Sequence, residues 1–547
     1  MHDAQSTQVL IVGGGPVGLT LAIDLATRGV DVVVVEQRPF GAIPEPKCNH
    51  VSARSMEIFR RLGVAKALRN AGLPEDYPND VSYRTTFTGA ELTRIVIPCR
   101  RDRYTAKDGP DGWWPTPEPP HRINQIFLEP ILADHAAALA RITLMNRTTV
   151  ESISQTDGGA IALVRDVDTG EAHRIDCLYL VGCDGGRSLT RKTIGANFVG
   201  DNEIQKVQST YIRAAGLIGL QKHERAWATA AWNARRIGIV YAIDGHERWL
   251  IHNYLKSGET DFEAVDRDSC IRTILGIGAE FAYEILSKED WVGRRLVAER
   301  FRDRRLFLAG DAAHIWVPYA GYGMNAGLAD AANLAWLLAA HLNGWAPAAI
   351  LNAYEAERLP ITTQVSQFAM DHAAREIKNR GSVPKNIEAD DAAGAAARRD
   401  LGAAAYALNV QQYCCAGLNF GTYYAQSPII AYDDGVHPAY TMANFTASTV
   451  PGCRTPHLWL GDGRSLYDAA GADYAVLRFD QGCDVAPLVA AAQRRSVPLT
   501  VVDIATTERT APYATKLLVS RPDQHVAWRG DAVPADPLAL IDRLRGA

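Results

Sequence analysis

A chain of 547 residues is longer than one hydrophobic core usually serves, so two or more domains are expected. Its 47% hydrophobic and 22% charged residues are ordinary for a globular protein, and a net charge of −5 argues against a nucleic-acid partner, whose footprint would be basic. No apolar run reaches the roughly 18 residues that read as a membrane span, so no membrane partner is expected.

The opening residues Met1 to Gln8 carry no basic segment ahead of an apolar stretch, so no signal peptide is expected. Residues 8–36 read as strand, turn, helix, strand. Val9-Leu10-Ile11-Val12 and Val32-Val33-Val34-Val35 are short apolar runs of the kind buried in parallel sheets. Pro16 suits a first helical position, and Gly29 a helix end. From 75 to 120 proline and glycine interrupt short strand-like runs, ending in Trp113-Trp114-Pro115-Thr116-Pro117-Glu118-Pro119-Pro120. A helix is predicted from Phe127 to Leu139, strands over 142–182, and further strands of a mixed sheet over 205–256. Leu306 to Ala309 is a buried strand entering a glycine-rich turn, with a helix over about 325–342. Residues 379–406, rich in Ala, Asp and Arg, are expected to form a mobile connection, and a separate strand and helix pattern runs from about 450 to the end. The nine cysteines are scattered and never spaced Cys-x-x-Cys, so inert thiols are expected, with no disulfide framework, no zinc site and a cytoplasmic location.

The chemistry lies in three motifs. Gly13-Gly14-Gly15-Pro16-Val17-Gly18 fits a dinucleotide-binding turn: Gly13 makes the turn, Gly15 lets backbone approach a pyrophosphate, and Gly18 packs helix on strand. The helix start at Pro16 favours phosphate charge, and Glu36, with Gln37 beside it, stands where a carboxylate accepts ribose hydroxyls. The second motif is the strand ending in Gly182-Cys183-Asp184-Gly185-Gly186-Arg187. The third is Gly310-Asp311-Ala312-Ala313-His314, then Pro318, then Gly321-Tyr322-Gly323-Met324-Asn325. Asp311 can hold a ribityl or ribose hydroxyl, and Gly321 and Gly323 let backbone lie close to a flat ring. The helix starting near Met324 would aim free N–H groups at that ring and stabilise negative charge on it.

In this order and spacing the three motifs resemble the class A flavoprotein monooxygenases, the para-hydroxybenzoate hydroxylase-like family, over residues 8–375. A closer similarity is to the phenol-type branch, which includes dichlorophenol and hydroxyphenylpropionate hydroxylases. It rests on Pro46-Lys47-Cys48-Asn49-His50-Val51, on Arg54-Ser55-Met56-Glu57-Ile58, on Gln125 and on a tail with Trp459-Leu460 and Arg521 to Arg529. The resemblance implies an α/β fold: a Rossmann-type FAD-binding domain interleaved with a mixed-sheet substrate domain, then a thioredoxin-like C-terminal domain without the dithiol. The implied segments are 1–80, 122–200 and 293–400 for FAD binding, 81–121 and 201–292 for substrate, and 401–547 for the tail. Lys47 stands in the place of a usual arginine, Ala320 where a glycine is common, and Tyr322 where a smaller or amide residue often sits.

The resemblance further implies that NADPH or NADH transiently reduces FAD and that O2 then gives a hydroperoxyflavin which hydroxylates a phenolic ring. FAD would be held by Gly13, Gly15, Pro16, Gly18, Glu36, Gln37, Lys47, Arg54, Gln125, Asp184, Asp311, Gly323, Met324 and Asn325. Arg187 would meet the coenzyme, and the Pro318 carbonyl would lie between flavin and substrate. His252 is the candidate for activating the phenol, with Tyr211, Trp232 and Tyr241 as pocket walls. His314 is expected to fix its loop. A Baeyer–Villiger or epoxidising enzyme acting on an aromatic or polyketide-like substrate is the alternative on the same fold. A homodimer is possible, and no metal site is expected.

Overall fold

The computed structural model describes residues 5–47, 49–505 and 512–547. Cys48, from the Pro46 to Val51 stretch, and the side chain of Ala320 lie outside that description.

The four consecutive valines of Val32–Val35 are all buried and pair in parallel with Val9 to Val12. This begins an eight-stranded sheet in the order Arg302–Asp303, Leu306–Leu308, Ala172–Gly182, Gln5–Val12, Val32–Val35, Ile142–Met145. The strands from Leu306–Leu308 through Ile142–Met145 run parallel. An antiparallel meander of Thr148–Gln155 and Ala160–Asp166 extends Ala172–Gly182 away from them. Gly13 (φ +106°) turns the chain into the helix Pro16–Thr27. A side chain at Gly18 would put its Cβ 2.0 Å from the Gly13 oxygen, so helix and turn fit only without one.

The second sheet has nine strands and draws on three stretches of the chain. Its order is His314–Trp316, Trp291–Ala298, Phe198–Arg213, Arg248–Tyr254, Ile237–Ala242, Ala228–Trp232, Val81–Arg84, Glu91–Ile95, with Glu284–Lys288 also on Phe198–Arg213. The helix Arg267–Leu275, capped by Asp266, packs Ile271 and Ile274 against the face that carries Trp249 and Ile251. Alternation along Arg248–Tyr254 therefore sends Leu250, His252 and Tyr254 to the opposite face.

Two long helices cover that opposite side. Asn352–Gly381 runs 30 residues through Pro360, and Ala392–Tyr413 runs 22 residues from an Asp391 cap whose side chain accepts the Gly394 N–H. The expected mobile connection over 379–406 is therefore corrected. Its alanines form an ordered helix whose Leu401 and Ala405 are buried against the second sheet, and Gly402 lets it approach the Leu92 carbonyl.

The tail folds into a four-stranded sheet, Leu499–Asp503, Tyr474–Arg478, Leu517–Ser520, Val526–Gly530. Its first pair is parallel and the others are antiparallel, with helices Ala486–Arg494 and Pro537–Leu544. It does not stand apart: Tyr474, Leu488 and Leu517 share one apolar core with Trp336 and Leu337 of the helix Tyr322–Leu342. Arg521 crosses the seam, donating to Glu357 at 2.6 and 2.8 Å, and both are fully buried. All described cysteines are free.

Candidate active site

The amino-terminal turn is built to leave room over Gly15, where an added Cβ would meet nothing within 4 Å. Gly14 donates its N–H to Glu36 Oε2 at 2.8 Å, which fixes the carboxylate beside the turn. Arg38 holds the other oxygen, Glu36 Oε1, at 2.9 Å through its N–H and pairs with Glu129 at 2.6 Å. Hydrogen bonds from Arg38 and Gly14 outweigh burial and draw the Glu36 carboxyl below its usual range. Glu36, Arg38, Phe40, Ala133 and Leu144 line a pocket there, apolar on most of its wall with a carboxylate at one end, the chemistry an adenosine asks for. Gln37 is exposed at its rim. Gln125 begins the helix Gln125–Ala137 and donates to Glu129 at 2.9 Å, which links it to the same chain of groups.

The third motif brings a second set of groups to the edge of both sheets. Gly310 (φ +61°) turns the strand Leu306–Leu308 so that the helix Tyr322–Leu342 can cross it, with Gly327 and Val17 closing on the turn. Asp311 faces a cleft: its carboxyl reaches solvent, yet the enclosing protein pushes its pKa up, with His314 and Lys47 drawing it back. Lys47 spans from there to Glu289, 2.7 Å away on the second sheet's side. His314 is buried, stacks on Trp316 at 4.6 Å and bonds Asp330 at 2.7 Å, a loop-fixing arrangement. The Pro318 carbonyl accepts the Gly321 N–H at 3.2 Å. Gly321 (φ +60°) caps the helix with no side-chain acceptor, and Gly323 has open space, its nearest neighbour being Trp316 Nε1 at 3.8 Å. The first-turn N–H groups, Met324's among them, therefore stand ready for a negatively charged ring.

Other residues expected on the cofactor are turned elsewhere. Asn325 accepts from Ser52 N–H at 2.8 Å and Ser55 Oγ at 2.7 Å and donates to the His50 carbonyl at 3.0 Å, so its side chain clamps two loops together. Arg54 donates to Glu57 at 2.9 Å and to Gln524 and the Asp523 carbonyl, which ties it to the seam with the tail. Asp184 is likewise spent on its own loop, accepting from Ser188 at 2.5 Å and from Thr190. Arg187 is exposed beside it.

The second sheet presents an aromatic wall to this cradle. Tyr241 packs edge-on against His252 at 5.4 Å and tilts against Trp227 at 5.2 Å, and Trp291 closes the other side of His252 at 5.6 Å. Burial alone lowers the His252 pKa to about 4, so the ring is neutral and a weaker acceptor for a phenol's proton than an ordinary imidazole. Tyr211 joins Leu250 and Ile126 in a small apolar cluster on this face. Trp232 is corrected: it is 1% exposed, packs edge-on to Tyr83 at 5.2 Å and belongs to the core shared with Leu401.

The structure adds groups that sequence reading passed over. Tyr319, next to Pro318, accepts from Arg380 Nη2 at 3.1 Å. Glu376 faces the Tyr319 hydroxyl and the Gln412 amide, and burial raises its pKa. Its Oε2 is buried without a donor, and Nε and Nη1 of Arg380 are buried without acceptors. Arg380 lies over the Tyr254 ring at 3.9 Å. Four segments far apart in sequence thus converge on a polar corner with unfilled donors and an acceptor, and no local motif announces it. Among the described residues no group of His, Cys, Asp and Glu could hold a metal, and no helix is long and apolar enough to cross a membrane.

Comparison with known proteins agrees with this geometry. A family model described as an FAD binding domain matches residues 6–369, and one described as the C-terminal domain of aromatic-ring hydroxylases matches 448–546. The chain is 29% identical to the FAD-dependent monooxygenase apdD of Emericella nidulans, over 96% of this chain and 88% of that one. It is 28% identical to phenol 2-monooxygenase of a Pseudomonas species, over 99% of this chain and 92% of that one. The solved structure of the rebeccamycin biosynthetic enzyme RebC with reduced flavin superposes with a TM-score of 0.90 at 33% identity, covering 100% of each chain.

Proposed function

Since the chain belongs to the FAD-dependent aromatic-ring hydroxylases, we propose that it hydroxylates a phenol held between the glycine cradle at Gly321–Gly323 and the wall of Tyr241, Trp227 and Tyr413. The enzyme is an FAD-dependent monooxygenase with NAD(P)H as reductant. Bound FAD supplies the oxygen chemistry, and the protein supplies position, charge and dryness. Glu36 accepts ribose hydroxyls, the open backbone at Gly15 takes the pyrophosphate, Asp311 holds the ribityl chain, and the helix at Tyr322 faces the ring. The exposed Arg187 offers a cation to the incoming coenzyme.

One observation carries the phenolic reading: the polar corner beside Pro318. Glu376 Oε2, buried and lacking a donor, accepts the substrate's O–H proton, and a carboxyl whose pKa burial has raised is better matched to a phenol than an ordinary one. The open N–H groups of Arg380 then stabilise the phenolate oxygen, and Tyr319 orients the pair. The aromatic wall excludes water, which protects the reactive oxygen.

The test is a panel of phenols assayed for stimulated NAD(P)H oxidation, with product mass spectrometry under labelled O2. Incorporation of one labelled oxygen atom is expected, and Glu376→Gln should lower kcat while largely sparing KM. Full turnover by Glu376→Gln would remove the assigned proton acceptor. We also infer that the tail unit is thioredoxin-like, which the strand order and directions of its sheet support, and that the enzyme works in the cytoplasm, which its free cysteines support.

A further inference from the structure

We propose that the aromatic substrate carries a carboxylate and that Arg122 is the residue that binds it; the assignment rests on the pocket reading above. Arg122 is only 6% exposed. Its neighbours are aromatic: the guanidinium carbon lies 4.4 Å from the centre of the Trp227 ring and 5.9 Å from that of Tyr413. Among the described residues it makes no ion pair within 4.0 Å and no hydrogen bond, and the acid it feels most, Asp111, is taken by Arg103 at 2.6 Å.

Three other buried arginines of this chain differ. Arg103, Arg358 and Arg521 each hold a carboxylate at 2.6–2.8 Å. That is the usual condition for burying a guanidinium, because desolvation is costly unless a counter-charge and hydrogen bonds offset it. Stacking on Trp227 and Tyr413 offsets part of that cost but satisfies none of the N–H donors. A buried cation with its donors unanswered leaves them open to a partner that arrives with a ligand; Arg191, over Phe198, shares that condition, so position decides the role.

Its position points to the substrate. Trp227 and Tyr413 belong to the wall around Tyr241, and Tyr413 also lies within electrostatic reach of Glu376. On the other side, the positive charge of Arg122 helps hold the His50 pKa well below its usual value, and a Cβ at Gly321 of the flavin cradle would sit 2.9 Å from His50 Cβ. Arg122 therefore stands between cradle and wall. A planar guanidinium with free N–H groups matches a carboxylate in two parallel hydrogen bonds, and one negative charge balances it. The substrate class is thus a hydroxylated aromatic acid, its ring against Trp227 and Tyr241 and its phenolic oxygen toward Glu376.

The experiment uses the full-length, FAD-loaded protein and a matched pair of probes, 6-hydroxy-2-naphthoate and 6-hydroxy-2-naphthamide, with binding measured by calorimetry. The wild type should bind the acid more tightly than the amide by about ten-fold or more. Arg122→Met should abolish that preference, and Arg122→Lys should retain part of it. Thermal melts serve as the folding control, and Arg122→Met should melt no lower than wild type, since it removes an unpartnered charge. Equal affinity for the two probes in the wild type, no binding of the acid, or a preference that survives Arg122→Met would overturn the proposal. If neutral 2-naphthol stimulates NAD(P)H oxidation while the acid neither binds nor stimulates it, the hydroxylase reading stands and the role of Arg122 falls.

Discussion

Glu357 is the most heavily used acid at the seam between the tail and the flavin-binding region, and replacing it with alanine tests how that seam is held. Its carboxylate accepts from Arg521 at 2.6 and 2.8 Å, from Asn333 Nδ2 at 2.7 Å and from Ser427 Oγ at 2.5 Å. Glu357→Ala removes all four bonds from a fully buried site. Arg521 keeps Asp523, at 3.0 and 2.7 Å, so its charge is not orphaned outright. The two charge-assisted bonds are worth about 1.5 kcal/mol or more each, and leaving Asn333 and Ser427 short of a partner adds about 1 kcal/mol or more. The expected loss is about 3–5 kcal/mol, within the range for breaking a buried pair by removing one partner. Glu357→Gln keeps the shape and two acceptor sites, so it should lose roughly half as much. The assay is chemical denaturation followed by tail tryptophans such as Trp528, with limited proteolysis to see whether the tail opens first. A loss below about 1 kcal/mol for Glu357→Ala would refute the reasoning, because it would mean that the network is nearly matched by water in the open state.

Gly18→Ala should fold poorly or lose FAD, since the new Cβ would lie 2.0 Å from the Gly13 oxygen; an absorbance ratio of protein to bound flavin checks it. Asp311→Ala should give folded, flavin-poor protein, and full flavin occupancy would count against its role. Stability should fall in acid: burial lowers the His372 pKa to about 4, so the unfolded chain binds its proton first, and stability is lost as pH drops below about 6.5, by on the order of 3 kcal/mol from this group alone at pH 4. A His372→Phe variant should show a flatter acid limb in thermal melts across that window. Glu376 acts in the opposite sense: its raised pKa makes the folded state bind protons more readily, so stability falls as pH climbs from the ordinary carboxylate range through the folded value, and Glu376→Gln should melt higher than wild type at neutral pH.

The flavin cradle was legible because backbone demands leave marks in sequence. Gly13, Gly18 and Gly321 are glycine for steric reasons that the structure spells out, and Glu36 stands at the end of its strand where the turn needs an acceptor. The elements also followed from pattern: the helix predicted over 127–139 runs Gln125–Ala137, and the one over 325–342 runs Tyr322–Leu342. The substrate side was opaque. Arg122, Glu376 and Tyr413 come from three distant segments, and nothing in an isolated window marks a buried arginine that lacks an acid. Trp232 misled because alternation along a strand tells which face a residue takes, not which part of that face is the site. The segment 379–406 misled because an alanine-rich helix with scattered charges has little periodicity until it docks.

The helix Asn352–Gly381 holds Glu357 near one end and Glu376 near the other, about 28 Å apart along its axis at about 1.5 Å per residue. One end is gripped by the tail through Arg521, and the other supplies the polar corner proposed to meet the substrate's ring. The tail can thus govern chemistry it never touches, by setting how far and at what tilt this beam reaches into the pocket. Exchanging tails between related hydroxylases should therefore shift which rings are accepted, even when every residue lining the pocket is left as it was.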